Sequence, residues 1–187
     1  MATETGTRRE QLLATAADLF AARGFHGVSV AEIGAACGVS GPALYKHFAS
    51  KDAILAEMLV SISEELLGVG RHRVAGADDA AGALRALVAW HVDFALARRS
   101  LIVVQDRDWE SLPQEARERV RTLQREYVDV WADQLRRVHP GLPTDRARAT
   151  AHATFGLINS TPHSALLPEE QMRALLSEMA ARALGLD

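Results

Sequence analysis

Apolar positions recur every three to four residues along nearly the whole chain, and no stretch alternates residue by residue. The first spacing builds amphipathic helices and the second would build strands. Between Arg8 and Arg23 the apolar stripe is Leu12, Leu13, Ala16, Leu19 and Phe20, and Gly24 follows as a left-handed stop. Ser29, with Glu32 three residues on, forms a capping box for a second helix that turns Val30, Ile33 and Ala36 inward and ends at Gly38. Ser40 caps a short third helix with Pro42 in its first turn, where a missing N–H costs no helical hydrogen bond. Ser50 opens a fourth, with Ile54, Leu55, Met58, Leu59, Ile62 and Leu66 on one face. Gly68, Gly70 and Gly76 then predict a loosened stretch, because glycine is a poor helix former.

Longer helices are predicted beyond it. One runs from about Asp79 to Arg98, with Leu84, Leu87, Val88, His91, Phe94 and Ala95 sharing a face. The segment LIVVQDRDWESL reads as irregular. Pro113 opens a long helix to about His139, stopped by Gly141 and Pro143. Another spans about Thr144 to Ser160 and is broken by Pro162; the last runs from Pro168 to Leu184, with Glu169 and Glu170 at its positive end. The fold class expected is all-α.

Composition narrows the setting. The 187 residues are 48% hydrophobic but only 5% aromatic, and the net charge of -3 points to no particular partner. Cys37 is the sole cysteine, so no intrachain disulfide can form. The N-terminus lacks a basic-then-apolar signal pattern, and no apolar run approaches the ~20 residues of a membrane span. A cytoplasmic protein is expected, with no membrane partner. Seven histidines show no ligand spacing, so no metal is expected; no cofactor motif, phosphate loop or nucleophile elbow occurs, so neither cofactor nor catalysis is expected.

The stretch GVSGPALYKHFASKDAIL holds both lysines of the chain, Lys46 and Lys51, against nineteen arginines. Three short helices with a tight Gly38-Val39-Ser40 corner form a helix-turn-helix pattern, whose last helix, about Gly41 to His47, would enter a major groove. Lysine offers a compact charge on a flexible stem, suited to a phosphate. Both lysines therefore fall where a DNA backbone would pass. Cys37, beside this motif, reads as a small residue packed behind the corner.

The segment from Thr15 to Leu59, above all LYKHFASKDAIL, resembles the DNA-binding domain of the tetracycline-repressor (TetR) family of bacterial regulators. The resemblance implies a homodimer that binds a pseudo-palindromic double-stranded operator and releases it when a small molecule fills the C-terminal domain. It implies phosphate contacts from Tyr45, His47 and Lys51, and base or nearby backbone contacts from Gly41, Pro42, Ala43 and Lys46; Ser29 and Ser40 are expected at the same surface. Gly41, Pro42 and Ala43 carry no side-chain hydrogen-bonding group, so readout would rest on thymine methyls, Lys46 and DNA shape. The expected domains are residues 1–51, for DNA, and 52–187, for ligand and dimerisation, joined by the shared fourth helix.

The last two long helices are rich in small and apolar residues, including Ala149, Ala153, Gly156, Leu175 and Met179; the family layout implies that they form the subunit interface. Aromatic residues concentrate between them and the domain boundary. Trp90, Phe94, Trp109, Tyr127, Trp131 and Phe155 supply apolar walls, and Arg107 or Asn159 a polar anchor, for a small, largely apolar effector. A constitutive DNA-binding protein without effector, or a helical-bundle enzyme, are the alternatives.

Overall fold

The computed structural model describes residues 8–39, 41–164 and 166–186. Its helices are α1 (Arg8–Arg23), α2 (Val30–Ala36), α3 (Gly41–Tyr45), α4 (Lys51–Ala75), α5 (Ala80–Ala97), α6 (Arg99–Arg107), α7 (Gln114–Val138), α8 (Thr144–Ile158), α9 (Thr161–Ser164) and α10 (Glu169–Ala183), with a 3-10 turn at Trp109–Ser111. No strand occurs among the described residues. Two compact units result. One takes the chain up to Ser61 together with Ser100–Arg119; the other takes Ile62–Arg99 and the residues from Val120 onward. α4 contributes its first turns to the one and its remainder to the other.

In the first unit, α1 buries Leu12, Ala16, Ala17 and Phe20, and Phe20 meets Phe25 edge-on at 5.3 Å. Gly24 has φ +80°, which lets the chain leave α1 without strain. The Ser29–Glu32 capping box forms: Glu32 N–H donates to Ser29 Oγ and Ser29 N–H donates to the Glu32 carboxylate. The Ser29 hydroxyl, which donates to the same carboxylate at 2.7 Å, then the Ser29 N–H and Arg23, hold the Glu32 carboxyl down to about 2. Ile33 is fully buried, but Ala36, expected inward, is exposed; α2 ends in a tight turn at Cys37, and Gly38 takes φ +66°. Cys37 itself is half-buried.

Two expectations about regular structure are corrected. α4 continues through Gly68 and Gly70. A Cβ on Gly70 would stand 2.6 Å from Tyr127 Cε2, so this glycine marks close packing of α4 against that ring, not a break. LIVVQDR is helical, because burying Leu101, Ile102 and Val104 outweighs the poor helix propensity of its β-branched run.

The second unit packs α5 against α8 and α10, with Leu84, Leu87, Val88, Val92, Trp131, Leu135, Ala147, Ala151, Met172 and Leu176 buried. α5 is the single described helix long and apolar enough to cross a membrane; half of it is buried inside the fold, as a core helix requires.

Candidate nucleic-acid interface and effector site

The helix-turn-helix corner is built from inside outward. Leu44 and Phe48 are buried on one side of α3 and the turn after it, so the other side presents Tyr45, which is 56% exposed, and Lys46, also exposed. Ala43 and His47 are half-buried. Ser40 lies outside the described residues, as do the side chains of Gly41 and Pro42. Ser50 caps α4 by accepting the Ala53 N–H at 3.0 Å.

Arg9 locks this arrangement to α1. Its guanidinium forks onto the Glu57 carboxylate, donates to the His47 carbonyl and covers the Phe48 ring at 4.4 Å. The bidentate ion pair and the cation–π contact are the geometries arginine serves better than lysine. The two lysines behave differently from each other. Lys51 Nζ donates to the carbonyls of Phe25, at 2.8 Å, and Val28, at 2.9 Å, and sits 4.3 Å from the Phe25 ring centroid. Two of its three donors thus tie α4 to the α1–α2 loop. Ser29 is likewise engaged, by its capping box.

Arg107, expected as a polar anchor for a ligand, is engaged at the end of α1. Its guanidinium donates to the Ala21 carbonyl at 3.0 Å, to the Phe20 carbonyl and to Asp108. A cation at the last carbonyls of α1 opposes the negative end of the helix dipole. The neighbouring Asp108 carboxylate is buried, 7% exposed, and accepts the Phe25 N–H at 3.2 Å. Arg107 and Trp109 belong to the first unit.

The other expected ligand residues, Trp90, Phe94, Tyr127, Trp131, Phe155 and Asn159, belong to the second unit. It brings five of them, Phe94, Tyr127, Trp131, Phe155 and Asn159, together around a residue that sequence reasoning left out of the site, His91. The His91, Tyr127 and Phe155 rings stack nearly parallel: His91–Phe155 centroids are 4.8 Å apart, Tyr127–Phe155 5.4 Å and His91–Tyr127 5.7 Å. Trp131 stands perpendicular to Phe155 at 5.0 Å. Phe94 tilts against His91 at 5.8 Å. The signal for His91 was available: it falls on the apolar face of α5, where a histidine must find partners or stay neutral.

His91 finds two. Its Nε2 is 3.1 Å from Asn159 Oδ1, and its Nδ1 is 3.3 Å from the Tyr127 hydroxyl. A carbonyl oxygen can only accept, so the proton sits on Nε2 and Nδ1 accepts from Tyr127. Burial lowers the His91 pKa to about 4 against the opposing bond from Asn159, so the imidazole is neutral at pH 7. Burial also pushes the Tyr127 phenol far above its ordinary value. The Trp131 Nε1 is buried without a hydrogen bond of full geometry, although it lies near enough to the Tyr127 oxygen to oppose that rise slightly. Trp90 Nε1 is also buried without an acceptor. Thr161 pins the α8–α9 turn, and so Asn159, by donating to the Ala95 carbonyl at 2.8 Å.

The family model for bacterial regulatory proteins of the tetR family matches residues 12–58, and that for a tetracyclin repressor-like C-terminal domain matches residues 77–163. The chain belongs to the TetR family of transcriptional regulators. The HTH-type transcriptional repressor KstR2 of Rhodococcus jostii (strain RHA1) is 33% identical over 125 residues, 66% of this chain and 61% of the relative. The HTH-type transcriptional activator FasR of Mycolicibacterium smegmatis is 37% identical over 87 residues, 46% of this chain and 40% of its own length. The matches thus span about two fifths to three fifths of these relatives. A solved TetR-family regulator from Bordetella parapertussis 12822 superposes with a TM-score of 0.83 at 25% identity, covering 95% of this chain and 94% of the other. Mycobacterium smegmatis AmtR superposes with a TM-score of 0.76 at 28% identity, covering 98% and 89%.

This TetR-family chain also carries an exposed apolar strip on its last helices. On α10, Leu175 and Met179 are 40% and 44% exposed. On α8, Ala149, Ala153 and Gly156 are exposed, and a Cβ on Gly156 would meet nothing within 4 Å.

Proposed function

We propose that this chain is a dimeric, ligand-responsive transcriptional repressor that binds a pseudo-palindromic operator and is released by a small, largely apolar effector. The observation that carries the reading is the outward Tyr45–Lys46 pair on α3, held rigidly from behind by Leu44, Phe48 and the Arg9 clamp. Repression is favoured over activation by the longer of the two sequence matches, which is to a repressor. Tyr45, Lys46 and His47 are assigned to the DNA, with Ser40, Gly41, Pro42 and Ala43 at the same surface. Ser29 and Lys51 contribute by holding the unit's shape, with the third Lys51 donor left for a phosphate.

Operator titrations test this assignment. Lys46→Ala should weaken binding, relax sequence preference and reduce the salt slope by about one unit, with unfolding unchanged. Lys51→Ala should instead lower stability by about 2 kcal/mol, the scale of charge-assisted bonds lost from carbonyls left half-buried. If Lys46→Ala binds operator and random duplex as the parent does, α3 is not the reading helix.

The α8 and α10 strips are assigned to the dimer. Leu175 and Met179 are large apolar side chains that a second copy would cover, and the open space over Gly156 admits a close helix. Gly156→Arg is expected to convert a dimer to a monomer of about half the sedimenting mass in analytical ultracentrifugation. It should weaken operator binding with it, because each half-site alone is held poorly. A wild-type monomer at micromolar concentration would refute the dimer.

Release is assigned to α4. Its Gly70 abuts Tyr127, so a ligand that displaces the stacked rings presses on the helix that continues to Lys51. In the dimer, a tilt of α4 would move the two α3 helices off the ~34–36 Å separation of successive major grooves. A ligand preference of about 2.7 kcal/mol for the tilted state gives about a hundredfold loss of operator affinity.

A further inference from the structure

Phe155, half-buried, lies against three buried rings of the second unit's aromatic cluster, His91, Tyr127 and Trp131. Phe155 touches all three: it stacks on His91 and Tyr127 and takes the edge of Trp131, at 4.8, 5.4 and 5.0 Å. It is therefore the ring whose withdrawal would uncover the others. Beneath it the polar groups are uncharged. The Tyr127–His91–Asn159 chain uses the hydroxyl proton, both imidazole nitrogens and the Asn159 carbonyl. Two donors are not committed to a full hydrogen bond: the buried Trp131 Nε1–H, which lies near the Tyr127 oxygen, and the Asn159 amide N–H pair, which the His91 bond to Oδ1 does not use.

Donors without a cation favour an acceptor without a full charge. A carboxylate brought into this cluster would lose its water and meet no ammonium or guanidinium, a cost that neutral hydrogen bonds do not recover. A ketone, ester or thioester oxygen would accept from neutral donors without that cost, and its apolar remainder would replace the Phe155 ring on the faces of His91 and Tyr127.

We propose that Phe155 is a displaceable plug, and that the effector site beneath it selects an apolar ligand carrying an uncharged carbonyl-type acceptor, received by the Trp131 indole N–H and the Asn159 amide. This rests on the reading of the chain as ligand-responsive, and it narrows the effector to one chemical class.

Acetophenone, benzoate and toluene share a phenyl ring and differ in the group tested. Phe155→Ala should leave a phenyl-sized space in a folded protein. Calorimetric titration at pH 7.5 should show acetophenone binding at least tenfold tighter than toluene and at least a hundredfold tighter than benzoate. The preference over toluene should vanish in Phe155→Ala/Trp131→Phe, which keeps a ring and removes the N–H. In the wild type, where Phe155 must move, acetophenone should bind about tenfold more weakly. There it should still shift the Trp131 indole ¹H–¹⁵N resonance, identified by its loss in Trp131→Phe; this second measurement stands if the alanine variant does not fold. Benzoate binding as tightly as acetophenone would overturn the ligand class. Absence of binding to folded Phe155→Ala, with no wild-type indole shift at millimolar acetophenone, would overturn the plug. Operator binding is followed separately in the same samples: a filled site with unchanged operator affinity refutes the regulatory reading and leaves the site standing.

Discussion

Asp108→Ala is expected to destabilise the first unit by about 3 kcal/mol. The carboxylate is buried and accepts the Phe25 N–H, while the adjacent Arg107 reaches over the last carbonyls of α1. Truncation leaves a buried amide unsatisfied, about 1–3 kcal/mol by itself, and strips Arg107 of its counter-charge. Asp108→Asn should recover roughly half, because its side-chain oxygen still accepts from Phe25 while the charge is gone. Arg107→Ala should cost less, about 1 kcal/mol, since that guanidinium is half-exposed. Urea denaturation of the three variants provides the check; equal costs for Ala and Asn at Asp108 would show that the Phe25 bond contributes nothing. Phe25 also supplies one of the two carbonyls that hold Lys51, so loss of Asp108 should weaken operator binding even where the protein remains folded.

The second large effect is an acid-side loss of stability centred on His91. In the unfolded chain this imidazole takes up its proton near 6.5; in the folded protein burial holds it to about 4. Between those values the unfolded state binds more protons. Stability is therefore fully present above pH 6.5 and falls as pH is lowered toward 4, by about 3 kcal/mol in all. His91→Gln, which can accept from Tyr127 and donate to Asn159 without titrating, should be less stable at pH 7 but should lack this slope. Denaturant midpoints from pH 7.5 to 4.5 measure it. A parental slope matching that of His91→Gln would mean that the ring is already charged or solvated. Glu32 contributes in a lower window: its carboxyl is held near 2 by Ser29 and Arg23, so its part is present above 4.5 and lost only as pH falls through 2.

The parts of the protein legible in the sequence are those set by neighbours in the chain. The Ser29–Glu32 capping box is closed by residues three apart, and the left-handed turns at Gly24 and Gly38 need only the absence of a Cβ. The long helices α5, α7 and α10 follow from apolar spacing at helical period, and their ends from Asp79, Pro113 and Pro168. The dense LYKHFASKDAIL motif carried the family with it.

What only the tertiary structure decided depends on residues distant in the chain. α6 is helical because burial of Leu101, Ile102 and Val104 outweighs a local preference that pointed the other way. Gly70 reads locally as a weak point in a helix; the Tyr127 ring, far along the chain, makes it a close contact. Lys46 and Lys51 lie in one motif and look alike in sequence, but the carbonyls of Phe25 and Val28 take up Lys51 and leave Lys46 outward. Arg107 and Tyr127 were both candidates for one site, and contacts with α1 in one case and His91 in the other divide them. Helical period and capping act over three or four residues and can be read from a line of text. Whether a charged or polar side chain is spent on structure or kept for a ligand depends on which unsatisfied backbone or side-chain group the fold brings beside it.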